Sequence, residues 1–92
     1  MKSFKLYTEH RDNLIELARF YFNEFTVYNK TGNDSIVGLW NNEIEQTSII
    51  EIIMNDTIIN ESLICKLIND IKRVNNQQMV LLTITDMEVI YG

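Results

Sequence analysis

The chain is 92 residues long with one cysteine, Cys65, and one histidine, His10, so it reads as one small domain with neither an internal disulfide nor a familiar zinc spacing. Eight Lys and Arg against thirteen Asp and Glu give a formal net charge of −5 without a basic stripe, which argues against a nucleic acid polymer as partner. The apolar runs are too short for a membrane span and no charged-then-apolar leader follows Met1, so a cytoplasmic protein without metal or cofactor is expected.

Phe4 and Leu6 alternate with Lys5 and Tyr7, the period-2 pattern of a first strand ending near Thr8, which is placed to cap a following helix. Leu14, Leu17, Ala18, Tyr21 and Phe22 recur at helical spacing with Arg11, Asp12, Glu16 and Arg19 opposite, predicting an amphipathic helix with one buried face. Phe25, Thr26, Val27 and Tyr28 suit a pleated surface and predict a second strand. Between Asn29 and Gln46 the pattern lapses. Turn formers such as Gly32, Asn33, Asp34 and Asn42 mix there with Ile36, Val37, Leu39, Trp40 and Ile44, which are too apolar for a solvated loop. Residues 29–46 therefore read as a long hairpin tip whose apolar residues need something to pack on, a neighbouring subunit being the natural candidate.

Residues 48–54 (SIIEIIM) predict a third strand with Ile50 and Ile52 on one face and Ile49 and Ile53 on the other. Asn60 is the expected N-cap of a second helix whose stripe is Ile64, Leu67, Ile68, Ile71 and Val74, with Cys65 packed beside it, and the polar run 75–78 stops that helix. Residues 79–85 (MVLLTIT) predict a fourth strand, and 87–91 a short edge segment. The order βαββαβ predicts an α+β, ferredoxin-like fold over residues 1–92, a four-stranded antiparallel sheet with both helices on one face and a long hairpin between the second and third strands. The uncovered face would carry Ile49, Ile53 and Leu81, an apolar patch unusual for a monomer. A domain this short also buries too little surface to be very stable alone. Those three residues, with Leu39 and Trp40 of the hairpin, form the expected interface of a homo-oligomer.

The stretch from Trp40 through Ile44 and Glu45 to Ser48, leading into IIEIIM, resembles the hairpin of the CutA-like proteins, relatives of the PII signal-transduction proteins. Those carry a Trp, an Ile-Glu pair four and five residues on, and a Ser eight residues on. Tyr7-Thr8 is similar to the Tyr-Thr ending that family's first strand. The chain is also similar to short bacteriophage proteins with a Phe-Thr-Val-Tyr strand, a Gly, a Trp and an acidic-Ser-apolar strand. The resemblance implies a trimer in which hairpins reach across to neighbouring subunits and ligands lie in the intersubunit clefts near the hairpin base. Where CutA proteins have His-Pro-Tyr-Glu after the second helix, this chain has Asn75-Asn76-Gln77-Gln78, so divalent-metal binding is not carried over.

The residues expected to carry the ligand are Tyr28, Lys30, Thr31, Gly32, Trp40 and Glu45. Trp40 offers an aromatic face to a nucleobase, in competition with a role as interface anchor. Lys30, Thr31 and Gly32 form a polar turn that presents a cation and backbone N–H groups to a phosphate, without a Gly-rich phosphate motif. Glu43 and Glu45 fall on one side of an extended segment, as a bound cation or ligand amine requires, although solvated hairpin carboxylates share that pattern. His10, between Glu9 and Arg11, has the reach of a general base and the setting of a surface histidine. No Ser-His-Asp, Cys-His or HExxH arrangement is evident, so no enzyme is expected. The expectation is a PII/CutA-like homotrimer binding a small nucleotide-type ligand, as a sensor or, if phage-encoded, a sequestering protein of the host cytoplasm. Its rival is an acidic inhibitor engaging a host protein through the 29–46 hairpin, and an ACT-like dimer would share the strand order.

Overall fold

The computed structural model describes residues 1–29, 37–40 and 42–90, with Trp40 described by its backbone alone. The central strand is β1 (Lys2–Glu9), which pairs antiparallel with β4 (Glu43–Met54) on one side and β5 (Leu81–Asp86) on the other. The short β2 (Thr26–Tyr28) pairs with the far side of β4, giving the order β2-β4-β1-β5. Strand alternation then decides the faces: Phe4 lies opposite Ile52 and Leu6 opposite Ile50, and all four are buried. Helices α1 (Leu14–Arg19) and α2 (Ile58–Val74) supply the rest of that core through Leu14, Ala18, Ile64, Leu67 and Ile71, so both helices sit on one face as expected.

The strand count is five, one more than expected. β3 (Val37–Trp40) pairs with the first residues of β4, from Val37 opposite Gln46 to Trp40 opposite Glu43. Only residues 41 and 42 separate the two strands, and Asn42 takes φ 65, the left-handed region that tight hairpins use and that Asn tolerates. Gly38 is a strand residue of β3, and residues 30–36 and 41 of the expected hairpin tip lie outside the described residues. β4 is thus twelve residues long and belongs to both the sheet and the arm.

Several local expectations are corrected. Thr8 is no cap: it is fully buried in β1 and donates to the Gln77 side chain at 2.7 Å. Asn60 gives way to Thr57, whose side chain accepts from the Asn60 N–H at 3.1 Å at the start of α2. Cys65 is exposed, because one step past Ile64 on a helix turns a side chain away from the stripe. Val74, at the last helical position, is also exposed. α1 ends at Arg19, and its last turn tightens as both Tyr21 and Phe22 donate to the Ala18 carbonyl, which still delivers Phe22 to the core. Residues 87–90 form no strand; the Met87 N–H reaches the Met1 carbonyl, and Val89 lines a cleft together with Phe25 and Ile53. Among the described residues no helix is long and apolar enough to cross a membrane.

Candidate functional site

A cleft of about 450 Å³ opens where β1 ends, β4 begins and α2 turns into β5. Glu9 lies at the end of β1. Glu43 and Glu45 lie on β4 beyond the end of β1, on the arm shared with Leu39 of β3. Thr47 stands opposite Glu9, so Glu45 is its diagonal neighbour two residues on, and diagonal positions share a face. The opposite wall is the α2–β5 connection, residues 76–79.

That connection is shaped by the helix end. Asn76 sits at φ 52 just beyond the C-cap Asn75, and the Gln77 N–H reaches back to the Lys72 carbonyl at 2.9 Å, the closing bond of a left-handed helix stop. Gln77 is thereby turned under the sheet, where it is only 6% exposed and accepts from Thr8. Its Nε2 is buried without a hydrogen-bond partner. Turning the amide over would exchange the two atoms and still leave one of them unspent.

Electrostatics distinguish Glu45. The Glu9 carboxyl lies within hydrogen-bonding reach of it and, together with burial and the charges of Glu9 and Glu43, holds the Glu45 carboxyl above its ordinary range, with Arg11 opposing. Its Oε2 is buried with no hydrogen-bond partner. Glu9 is also held by Arg11, Nη2 to Oε2 at 2.6 Å. Among the described residues no three His, Cys, Asp or Glu converge as a metal site.

Beside the cleft, His10 Nδ1 lies 2.9 Å from Ser48 Oγ and His10 Nε2 lies 3.6 Å from Asp12. These are the residue types of a hydrolytic triad, which sequence spacing did not reveal. The arrangement is unsuited to that chemistry: Ser48 is fully buried, with no approach for a substrate, and Asp12 is fully exposed, where it does not fix the imidazole. The bond ties the end of β1 to β4.

The open face of the sheet holds a second group. Glu51, 8% exposed, accepts from Ser3 Oγ at 2.6 Å and from Tyr28 OH at 2.8 Å, with Lys5 Nζ 3.9 Å away. The Ser3 bond does most to hold the Glu51 carboxyl below its ordinary range, against the effect of burial, with help from Tyr28 and Lys5. Tyr28 is correspondingly raised by its bond to Glu51. A cleft of about 590 Å³ adjoins this hub between Phe25, Ile53 and Val89.

Of the expected ligand residues, Glu45 lies in the hairpin-base cleft, while Tyr28 is outside its lining and bound to Glu51 on the open face. Lys30, Thr31, Gly32 and the Trp40 side chain lie outside the described residues. Ile53 and Leu81 are exposed and Ile49 half-buried on the open face, and Leu39, on the arm, is exposed at the cleft. Glu9, Gln77 and Met79 were not anticipated. The signal available for Gln77 was the polar run 75–78 at the place where the CutA resemblance puts its own ligands.

No family model matches the chain, and no curated protein does. Among solved structures, the nitrogen regulatory PII-like protein CPII from Thiomonas intermedia K12, bound to ADP, AMP and bicarbonate, superposes with a TM-score of 0.61 at 15% identity, over 99% of this chain and 93% of that one. The fold is therefore PII-like. The de novo designed protein Foldit4 superposes with a TM-score of 0.48 at 15% identity over 95% and 96% of the two chains, too loosely to bear on function.

Proposed function

We propose that this chain is a non-enzymatic, PII-like protein that binds a small ligand in the hairpin-base cleft and works as a homotrimer, sensing or sequestering that ligand. The observation that carries the reading is the cleft itself, a space of about 450 Å³ whose lining includes a side chain buried to 6% exposure with an unspent amide atom. Buried polar atoms without partners are rare in folded proteins and are accounted for by a bound ligand, ion or water.

Two features support self-association. Ile53, Leu81 and Tyr28 stand between 41% and 47% exposed on one sheet face, and Val37, Leu39 and Ile44 between 58% and 78% on the arm. At roughly 25 cal/mol per Å², covering a few hundred Å² of such surface gives several kcal/mol, comparable with the stability of a small domain. A nucleotide is the first ligand class to try, because the PII-like fold neighbour holds ADP and AMP. In this cleft it would set its base against the Asn76, Gln77 and Gln78 amides and keep its phosphates clear of the carboxylates.

Native mass spectrometry of the protein purified from its own host tests both parts at once. Three chains with a small adduct is the expected result. A bare monomer would overturn the trimer, and a titration series of nucleotides, amines and amino acids that all fail to bind would overturn the ligand site. Co-purification of one host protein through the arm, without any small adduct, would favour the inhibitor instead.

A further inference from the structure

The geometry points to a small organic cation as the ligand of the hairpin-base cleft, with an ammonium group facing Glu45 and Glu9. This rests on the reading of the cleft as a ligand site and specifies what it takes. Among the described residues the lining carries three carboxylates, Glu9, Glu43 and Glu45, and neither Lys nor Arg. Arg11, outside the lining, compensates one of them through its 2.6 Å contact with Glu9. A phosphate or carboxylate entering the cleft would meet the remaining negative charge with no cation among the described lining residues to receive it, whereas an ammonium group would be drawn in.

The polar atoms without partners fit the same ligand. Oε2 of Glu45 is a buried acceptor, and an ammonium brings three donors. On the other wall, Gln77 is 6% exposed and has one amide atom unspent, the kind of group that reads a hydroxyl, amide or second amine further along a ligand. Leu39 and Met79, 69% and 61% exposed, offer apolar contact for a short carbon chain between the two polar ends. The carboxylates are spread along a cleft and do not converge on a point, which suits an organic cation better than a bare metal ion.

The test is isothermal titration calorimetry of the full chain with 1,4-diaminobutane, spermidine and AMP, at fixed ionic strength with NaCl as the control. The expected result is binding of at least one amine at least tenfold tighter than AMP. Glu45→Gln, which keeps the shape of the side chain, should weaken the amine at least tenfold, and Gln77→Leu should weaken it with the Glu45 contact intact. Far-UV circular dichroism verifies that each variant is folded. AMP binding more tightly than either amine, or amine binding indifferent to Glu45→Gln, would overturn the inference and leave the cleft as a ligand site. Failure of amines, nucleotides and amino acids alike would remove the site itself.

Discussion

Replacing Glu51 tests whether the open face is organised around one carboxylate. In Glu51→Ala the Ser3 hydroxyl, 1% exposed, loses its partner without gaining water, a loss of about 1–3 kcal/mol. Tyr28, 43% exposed, and Lys5, whose side chain is 40% exposed, turn to solvent, so each adds only about 0–1 kcal/mol. Part of this is offset because no carboxylate is desolvated any longer, and the net expectation is about 2 kcal/mol. Glu51→Gln keeps one acceptor and should lose about 1 kcal/mol. The pH profile gives an independent reading. Glu51 titrates below its ordinary 4.5 in the folded chain, so the unfolded chain holds more protons in the interval between the two values. The stabilisation is complete above 4.5 and is lost as pH falls through the lower, folded value. Urea unfolding from pH 7 to 3, at one fixed protein concentration because self-association makes the midpoint concentration-dependent, should therefore show a shallower acid limb for Glu51→Gln than for the parent. A Glu51→Ala loss within about 0.5 kcal/mol, the range of an ordinary surface change, or an unchanged acid limb in Glu51→Gln, would refute the hub.

Glu45 should behave in the opposite sense. Its folded pKa lies above 4.5, so the folded chain holds the extra proton and stability falls as pH rises from 4.5 through that raised value. Glu45→Gln should flatten this part of the urea-midpoint profile, and a parental slope in the variant would count against the Glu9–Glu45 contact. Asn76 at φ 52 predicts that Asn76→Ala costs about 1–2 kcal/mol while Asn76→Gly is neutral or stabilising in the same assay; equal effects would mean the left-handed stop is absent. Ile53→Lys on the open face should shift sedimentation velocity to the monomer while the far-UV spectrum stays unchanged, and an unchanged assembly would exclude this face from the interface.

The two faces of the sheet were legible because strand periodicity is strict: alternation puts Ile50 and Ile52 on one face and Ile49 and Ile53 on the other. The stripe of Ile64, Leu67 and Ile71 was legible for the same reason at helical period. What escaped was tertiary. Ser3, Lys5 and Tyr28 meet Glu51 from two other strands, which a linear pattern does not display, and Glu51 itself was hidden inside an apolar run. The cleft escaped for the same reason, since Glu9 and Gln77 are 68 positions apart and are joined by the stop at Asn76 and the Thr8 bond. Only Glu43 and Glu45, neighbours on one strand, could be seen as a pair in advance.

The cleft and the arm share residues, and that has a thermodynamic consequence. Leu39, Glu43 and Glu45 lie on the β3–β4 ribbon, on which Val37, Leu39 and Ile44 are exposed. A ligand bound against Glu45 therefore touches the same ribbon that a neighbouring subunit is proposed to hold. If both occur, the two equilibria are linked, and linkage is reciprocal: the factor by which assembly tightens the ligand equals the factor by which the ligand tightens assembly. Coupling of this kind is typically worth about 1–3 kcal/mol, or roughly 5- to 150-fold. Sedimentation equilibrium with and without saturating 1,4-diaminobutane measures one side, and calorimetry of the parent against Ile53→Lys measures the other. Two factors that both stay at unity would mean that the arm is held by its neighbour independently of the cleft. Agreement at a value above unity would make the β3–β4 ribbon the element through which occupancy is reported.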